Sequence, residues 1–265
     1  MHIWLNDSTE LLTKHFEINQ KNVSDTVKKY NLHKLRHSIW VLEAWRLILT
    51  KYEIQTNKLE DNIKKDCEII FLLHDLWRFY QNDKERILDW KEFDHWEKSY
   101  EIMKKEWFDI KLCLAVKYHD KISYEWIFNE DEYFNLNTQE QEYTIFLTKM
   151  LKDADKLQNI LYTLYDIEKL LHVDKDNIED WDVSPIALQE FTEYKLINRY
   201  NLKTKADYIL LVIAWYFDIY FQETRDILYF NNFILILLSR IQETNISSDS
   251  FSIIKQSLFK YNTKI

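Results

Sequence analysis

Apolar residues in this chain recur at steps of three and four. Leu32, Leu35, Ile39, Leu42, Trp45 and Leu49 fall on one face of a helix. The same spacing predicts helices over about 60–81, 95–107, 110–120, 140–172, 185–197, 204–220 and 223–242. Polar clusters mark the breaks: Asn82-Asp83, Asn135-Leu136-Asn137-Thr138, Asp174-Lys175-Asp176-Asn177 and Asn245-Ile246-Ser247-Ser248. Thr138-Gln139-Glu140-Gln141 has capping-box spacing, with Gln141 three residues after Thr138. No internal repeat or dividing linker stands out. The pattern predicts an all-α fold, a helical bundle in a single domain over 1–265.

Composition sharpens this picture. The chain has 265 residues, 46% of them hydrophobic and 16% aromatic, so it can build a sizeable core. It has no glycine, where average usage of roughly 7% would give about 18. Turns that need a positive φ are therefore expected to use Asn or Asp. That favours helices joined by polar loops over a hairpin-rich sheet.

The longest apolar run near the end, Phe233 to Leu238, is too short to span a bilayer. The start has neither the basic end nor the apolar stretch of a signal peptide. The expectation is a cytoplasmic protein with no membrane partner. Cys67 and Cys113 lie inside apolar helical patterns and form neither a disulfide framework nor a zinc motif. The net charge is −9, with lysines scattered among acids, so an extended nucleic acid is not expected as a partner. A small phosphate compound still fits, because a bound metal would supply local positive charge.

Two places break the apolar pattern at a cost. In Glu68-Ile69-Ile70-Phe71-Leu72-Leu73-His74-Asp75, a His-Asp pair follows five apolar residues. Burying a carboxylate without a partner costs several kcal/mol, roughly, and a divalent cation would compensate. In the second place, Asp153, Asp155 and Lys156 interrupt another apolar helix. Adjacent helical residues diverge by about 100°, so ligands beyond His74 and Asp75 must come from other helices. His37 and Asp155 are the candidates. Two histidines and two carboxylates suit Mn, Fe, Co, Mg, Ni or Zn, with open positions for water and phosphate oxygens.

The order His37, then His74-Asp75, then Asp155 resembles the H…HD…D signature of the HD superfamily of metal-dependent phosphohydrolases. Asp153-Ala154-Asp155-Lys156-Leu157-Gln158-Asn159 is similar to the alanine-aspartate-arginine-leucine-histidine-asparagine segment of bacterial alarmone hydrolases. That match makes Asp155 the ligand and leaves Asp153 a solvated or hydrogen-bonded helix residue. Leu73-His74-Asp75-Leu76-Trp77-Arg78-Phe79-Tyr80-Gln81 resembles the LHDIGRFxQ segment of a bacterial HD group. Asp94-His95-Trp96-Glu97 resembles its DHAE, Ala115 to Lys121 its AIxxHNK, and Ala214 to Ile219 its AWIFDIN. The matches run from about 30 to 225.

The resemblance implies hydrolysis of a phosphate monoester or diester in a nucleotide or another small phosphorylated compound. It implies metal ligands His37, His74, Asp75 and Asp155. It adds His95 and His119, which would aid proton transfer, hold a second cation or bind substrate phosphate. Asp94 and Asp120 would orient these two histidines. Arg78 and Lys156 are candidate substrate contacts, with Gln81 beside them, or else structural. His33 with His37 is a weaker zinc pair. Where the family has glycine, this chain has Trp77, whose indole is expected to border and narrow the pocket. Two other readings fit the same residues: a catalytically silent metal-binding module acting through partners, and a di-iron oxygenase on the HD fold.

Overall fold

The computed structural model describes residues 5–21, 23–55, 59–81, 95–121, 123–165 and 181–263. Among them there is no β-strand, and the fold is all-α. No helix among the described residues is long and apolar enough to cross a membrane. The chain divides into two compact units, Met1–Asp155 and Lys156–Ile265.

Unit 1 begins with α1 (Leu5–Ile18), α2 (Asp25–Gln55) and α3 (Asp61–Leu73). A 3-10 turn (Leu76–Tyr80) follows, then α4 (His95–Lys105) and α5 (Ile110–Tyr118). A second 3-10 turn (Tyr124–Asn129) and the short α6 (Asp131–Phe134) lead into α7 (Thr138–Tyr165). α7 belongs to unit 1 through Asp155 and to unit 2 from Lys156 onward. α3 packs against α1, α2 and α5, and α4 packs on α5. Val41, Trp45, Ile48, Ile70, Phe71, Leu73, Leu114, Leu147 and Leu151 are buried between these helices. The Trp45 and Phe71 rings meet at 5.3 Å. Core-facing residues at steps of three and four are what give each helix its long-lived position, since packing outweighs propensity.

Unit 2 contains α8 (Pro185–Thr192), α9 (Lys205–Ala214), α10 (Gln222–Phe230), α11 (Phe233–Gln242) and α12 (Ser248–Asn262). α8 packs on α9 and α12, and α11 on α9 and α10. Ala187, Phe191, Leu210, Ile213, Leu237, Ile241 and Ile254 are buried there.

Several sequence expectations need correction. The helix expected over 60–81 stops at Leu73, and Asp75 leaves helical geometry with φ −106° and ψ 21°. The apolar spacing runs on through Leu76 and Phe79 because a 3-10 turn repeats at three, close enough to 3.6 over five residues. The helix expected over 223–242 is two helices, broken at Asn231-Asn232, where Asn232 takes φ 59°. Left-handed positions were expected to be Asn or Asp, but Trp107 (φ 64°) and Tyr194 (φ 60°) also occupy them. Both close helix ends: Phe108 N–H reaches Met103 O, and Lys195 N–H reaches Glu190 O, at 3.1 and 3.0 Å. The capping box at the start of α7 is one residue earlier than expected. Glu140 N–H donates to Asn137 Oδ1 at 3.0 Å and Asn137 N–H to Glu140 Oε2 at 3.1 Å. Asn caps better than Thr, and Gln141 turns instead to the carbonyls of Tyr133 and Leu136. The Asn82-Asp83 and Asp174–Asn177 breaks lie outside the described residues.

Candidate metal centre

The end of α3 explains how His74 and Asp75 come to face one point. His74 closes α3 with φ −57° and ψ −34°, and the chain then turns at Asp75 before the 3-10 turn begins. The two side chains thus escape the divergence of a continuous helix. α2 brings His37, α5 ends at His119, and α7 brings Asp155. His37, His74, Asp75, His95 and His119 are each at most 6% exposed.

Two overlapping groups form, His37-His74-Asp155 and His74-Asp75-His119, each with donor atoms within 4.8 Å of one another. His37 Nε2 lies 3.1 Å from Asp155 Oδ1 and 3.3 Å from His74 Nε2. Asp75 Oδ2 lies 3.7 Å from His37 Nε2 and 3.8 Å from His74 Nε2. Ligands at 2.0–2.2 Å from one ion stand roughly 3–3.6 Å apart, so the spacing suits a cation. The ring centroids of His119 lie 5.1 Å from His74 and 5.7 Å from His95.

The tautomers are set from behind. His74 Nδ1–H donates to Phe71 O at 2.8 Å, and His119 Nδ1–H to Val116 O at 2.6 Å. Each acceptor is the carbonyl three residues back, left without an intrahelical partner at the helix end. Each neutral ring then presents a bare Nε2 inward, the arrangement that orients a metal-binding imidazole. Burial lowers His74 to about 4, against the pull of Asp75, so its ring is neutral near pH 7.

Asp75 holds the centre. Burial would raise its carboxyl, but Lys34, His74, Arg78 and His95 outweigh that and hold it well below the usual range. Lys34 Nζ sits 3.2 Å from Asp75 Oδ2, while Arg78 Nε and His95 Nε2 sit 3.5 and 3.4 Å from Oδ1. Burial would lower Lys34, yet Asp75 raises it. Burial also lowers His95 well below the ordinary histidine value, with the Arg78 guanidinium adding to the fall. Asp155 is likewise depressed: the hydrogen bond and charge of His37 overcome its burial.

Three of the four expected ligands, His37, His74 and Asp155, fall in one group, and Asp75 falls with His74 and His119 in the other; His95 lies beside Asp75, 3.4 Å from its Oδ1. Arg78 also reaches His95, its Nη2 donating to Nε2 at 3.3 Å. Asp120 faces His95 at 3.8 Å rather than His119, whose Nδ1 is already taken by Val116. Asp94 lies outside the described residues. Lys156 pairs with Asp218 Oδ2 at 2.5 Å within unit 2. Gln81 is buried and accepts from Tyr30 Oη at 3.2 Å. Asp153 is fully buried rather than solvated, and it belongs to neither metal-ligating group. His33 is in neither group either.

Trp77 follows the end of α3 rather than lying within it. Because α3 ends before it, its ring is carried onto Tyr80, stacked at 5.3 Å with the planes 14° apart. Trp96 is the indole that meets an imidazole of the cluster, 4.7 Å from His95. The residue that the sequence reading missed is Lys34. A lysine on a charged helix face reads as solvated, and only its acceptor 41 positions later shows otherwise.

No family model matches this chain, and no curated protein and no solved structure matches it significantly.

Proposed function

We propose that this chain is a metal-dependent phosphohydrolase of the HD type, acting on a phosphate monoester or diester of a nucleotide or another small phosphorylated compound. One observation carries the reading. His74 and His119 are held from behind with bare Nε2 atoms turned toward the buried carboxylates and His37. These bonds cap two helix ends, and a divalent cation would satisfy the Nε2 atoms they turn inward. The ordered sequence signature supports the same reading independently.

A cation held by His37, His74, Asp75 and Asp155 would polarise a phosphoryl oxygen and make a bound water more acidic. The protein's own groups then divide the remaining work. His119, with Nδ1 committed to Val116 O, presents its bare Nε2 as a metal ligand or as a hydrogen-bond acceptor toward water or substrate. Neutral His95 is a candidate proton acceptor, although burial and the Arg78 guanidinium weaken it as a base; Asp120, 3.8 Å away, would offset part of that by stabilising the imidazolium as it forms. Arg78 braces His95 and Asp75 together. A phosphate contact by Lys156 would require its ammonium to leave Asp218.

The test is a screen of nucleotides and generic phosphate esters against metal-stripped protein reloaded with Mn, Co, Mg, Ni, Zn or Fe. Turnover with at least one metal, lost in His74→Gln, is the expected result. Full metal occupancy without hydrolysis of any ester would reject the proposal, and two bound irons with oxygen consumption would replace it by the oxygenase reading.

A further inference from the structure

α2 delivers two groups to the same carboxylate oxygen, one turn apart. His37 and Lys34 are at i and i−3 on one face. Lys34 Nζ lies 3.2 Å from Asp75 Oδ2, the oxygen that His37 and His74 face at 3.7 and 3.8 Å. Asp75 is the one hydrogen-bond acceptor of Lys34 among the described residues, and the other contact of its ammonium is the Tyr30 ring, 5.9 Å from the centroid. An ammonium carries three donors, and one carboxylate oxygen uses one of them.

A buried ion pair is weak evidence for stability, since apolar residues of similar volume commonly do as well. A cation taking Asp75 as a ligand would also take its charge. Lys34, partly exposed, would then be a cation with its counter-charge spent, next to the carboxylate oxygen that a metal would take. Resting on the hydrolase reading above, we propose that Lys34 binds a non-bridging phosphoryl oxygen of the substrate, and that the site takes terminal phosphate monoesters in preference to diesters. The charges point that way. A divalent cation neutralises Asp75 and Asp155, and two positive charges, Lys34 and Arg78, stand beside Asp75 at 3.2 and 3.5 Å. A monoester, carrying about −1.5 to −2 near pH 7, matches two such charges better than a singly charged diester. A diester also brings a second substituent into a buried site.

This assigns Lys34 to the substrate rather than to the metal, and the two roles separate in one set of measurements. Mn2+ and then inorganic phosphate are titrated calorimetrically into metal-stripped wild type, Lys34→Gln and Lys34→Arg, with folding checked by circular dichroism. KM is measured for p-nitrophenyl phosphate and its bis-aryl diester. Lys34→Gln should bind Mn2+ at least as tightly as wild type, because a neighbouring positive charge is gone. It should bind phosphate about 10–100-fold more weakly, as loss of a charged hydrogen bond implies. KM for the monoester should rise by a similar factor and the monoester preference should shrink. Lys34→Arg should keep most of the phosphate affinity. Weaker Mn2+ binding in Lys34→Gln with unchanged phosphate affinity would overturn the assignment and make Lys34 a support for Asp75. Wild type that binds Mn2+ and phosphate yet hydrolyses neither these two esters nor any ester of the wider screen would defeat the hydrolase reading while leaving the anion contact in place. Failure of Lys34→Gln to fold would pass the decision to Lys34→Arg, where a large loss of phosphate affinity at full Mn2+ binding counts against the proposal.

Discussion

Asp75 and Asp207 are both buried carboxylates, at 4% and 0% exposure, yet their surroundings have little in common. Asp207 is held by backbone. Ser184 N–H donates to Oδ1 at 2.7 Å, and Lys203 and Thr204 N–H donate to Oδ2 at 2.9 and 3.1 Å. Its own amide donates to Thr204 Oγ1 at 3.1 Å, completing a capping box for α9. Asp75, among the described residues, is held by side chains: Lys34, Arg78 and three imidazoles. Backbone donors cannot turn away, so Asp207 locks a loop. Side-chain donors can turn away, so Asp75 can exchange them for an ion. The identity of the donors, more than burial, separates a structural acid from a candidate ligand.

The largest effect should come from Asp207→Asn. Both oxygens accept backbone amides, so either amide orientation leaves a buried N–H facing an NH2. Urea unfolding should show a loss of about 2–4 kcal/mol. Asp75→Asn should cost less, about 1 kcal/mol in metal-free protein, because the long Lys34 side chain can reach water. Equal costs would erase the distinction.

The acid sensitivity of the cluster gives a second contrast. His74 and His95 are held neutral by burial, His74 down to about 4. The unfolded chain binds their protons near pH 6.5, so it binds more protons than the folded chain between about 6.5 and 4. Stability of the metal-free protein should therefore be intact above about pH 6.5 and fall as the pH drops toward 4. Thermal melts across that range should show a shallower fall in His74→Gln, and an unchanged slope would count against a neutral buried His74.

The smallest effect concerns the two helix ends with left-handed aromatics. Trp107 is 88% exposed, whereas the Tyr194 ring lies 5.4 Å from both Phe217 and Tyr261. Trp107→Gly relieves the left-handed backbone and loses little packing, so it should stabilise by about 1 kcal/mol. Tyr194→Gly gains the same relief but loses ring contacts, and its melting temperature should not rise. A lower melting temperature for Trp107→Gly would show that its indole is held by more than the turn.

Much of this was legible in the order of residues. Long amphipathic runs announced α2, α7 and the α9 region, and the HD pair after five apolar residues marked the cluster. The short α1 and the polar-rich α12 went unread, because few of their positions are strongly apolar. The break at His74-Asp75 was hidden by a 3-10 turn that continues the apolar spacing. Thr204-Lys205-Ala206-Asp207 carried a readable capping signature, but nothing local tells that its acid also secures Ser184, 23 positions upstream. Lys34 depends on long-range placement and could not be read from spacing, and the Trp77–Tyr80 stack follows from the 3-10 turn that the spacing hid.

The central claim is that the buried His-Asp cluster is a cation site, and calorimetric titration with Mn2+ tests it most directly. Metal-stripped wild type and Asp207→Asn should each bind at least one equivalent with matching affinity. Asp75→Asn should lose more than the roughly 10–100-fold that follows removal of a group behind a ligand. No binding by the wild type, or equal affinity in Asp75→Asn, would contradict the account.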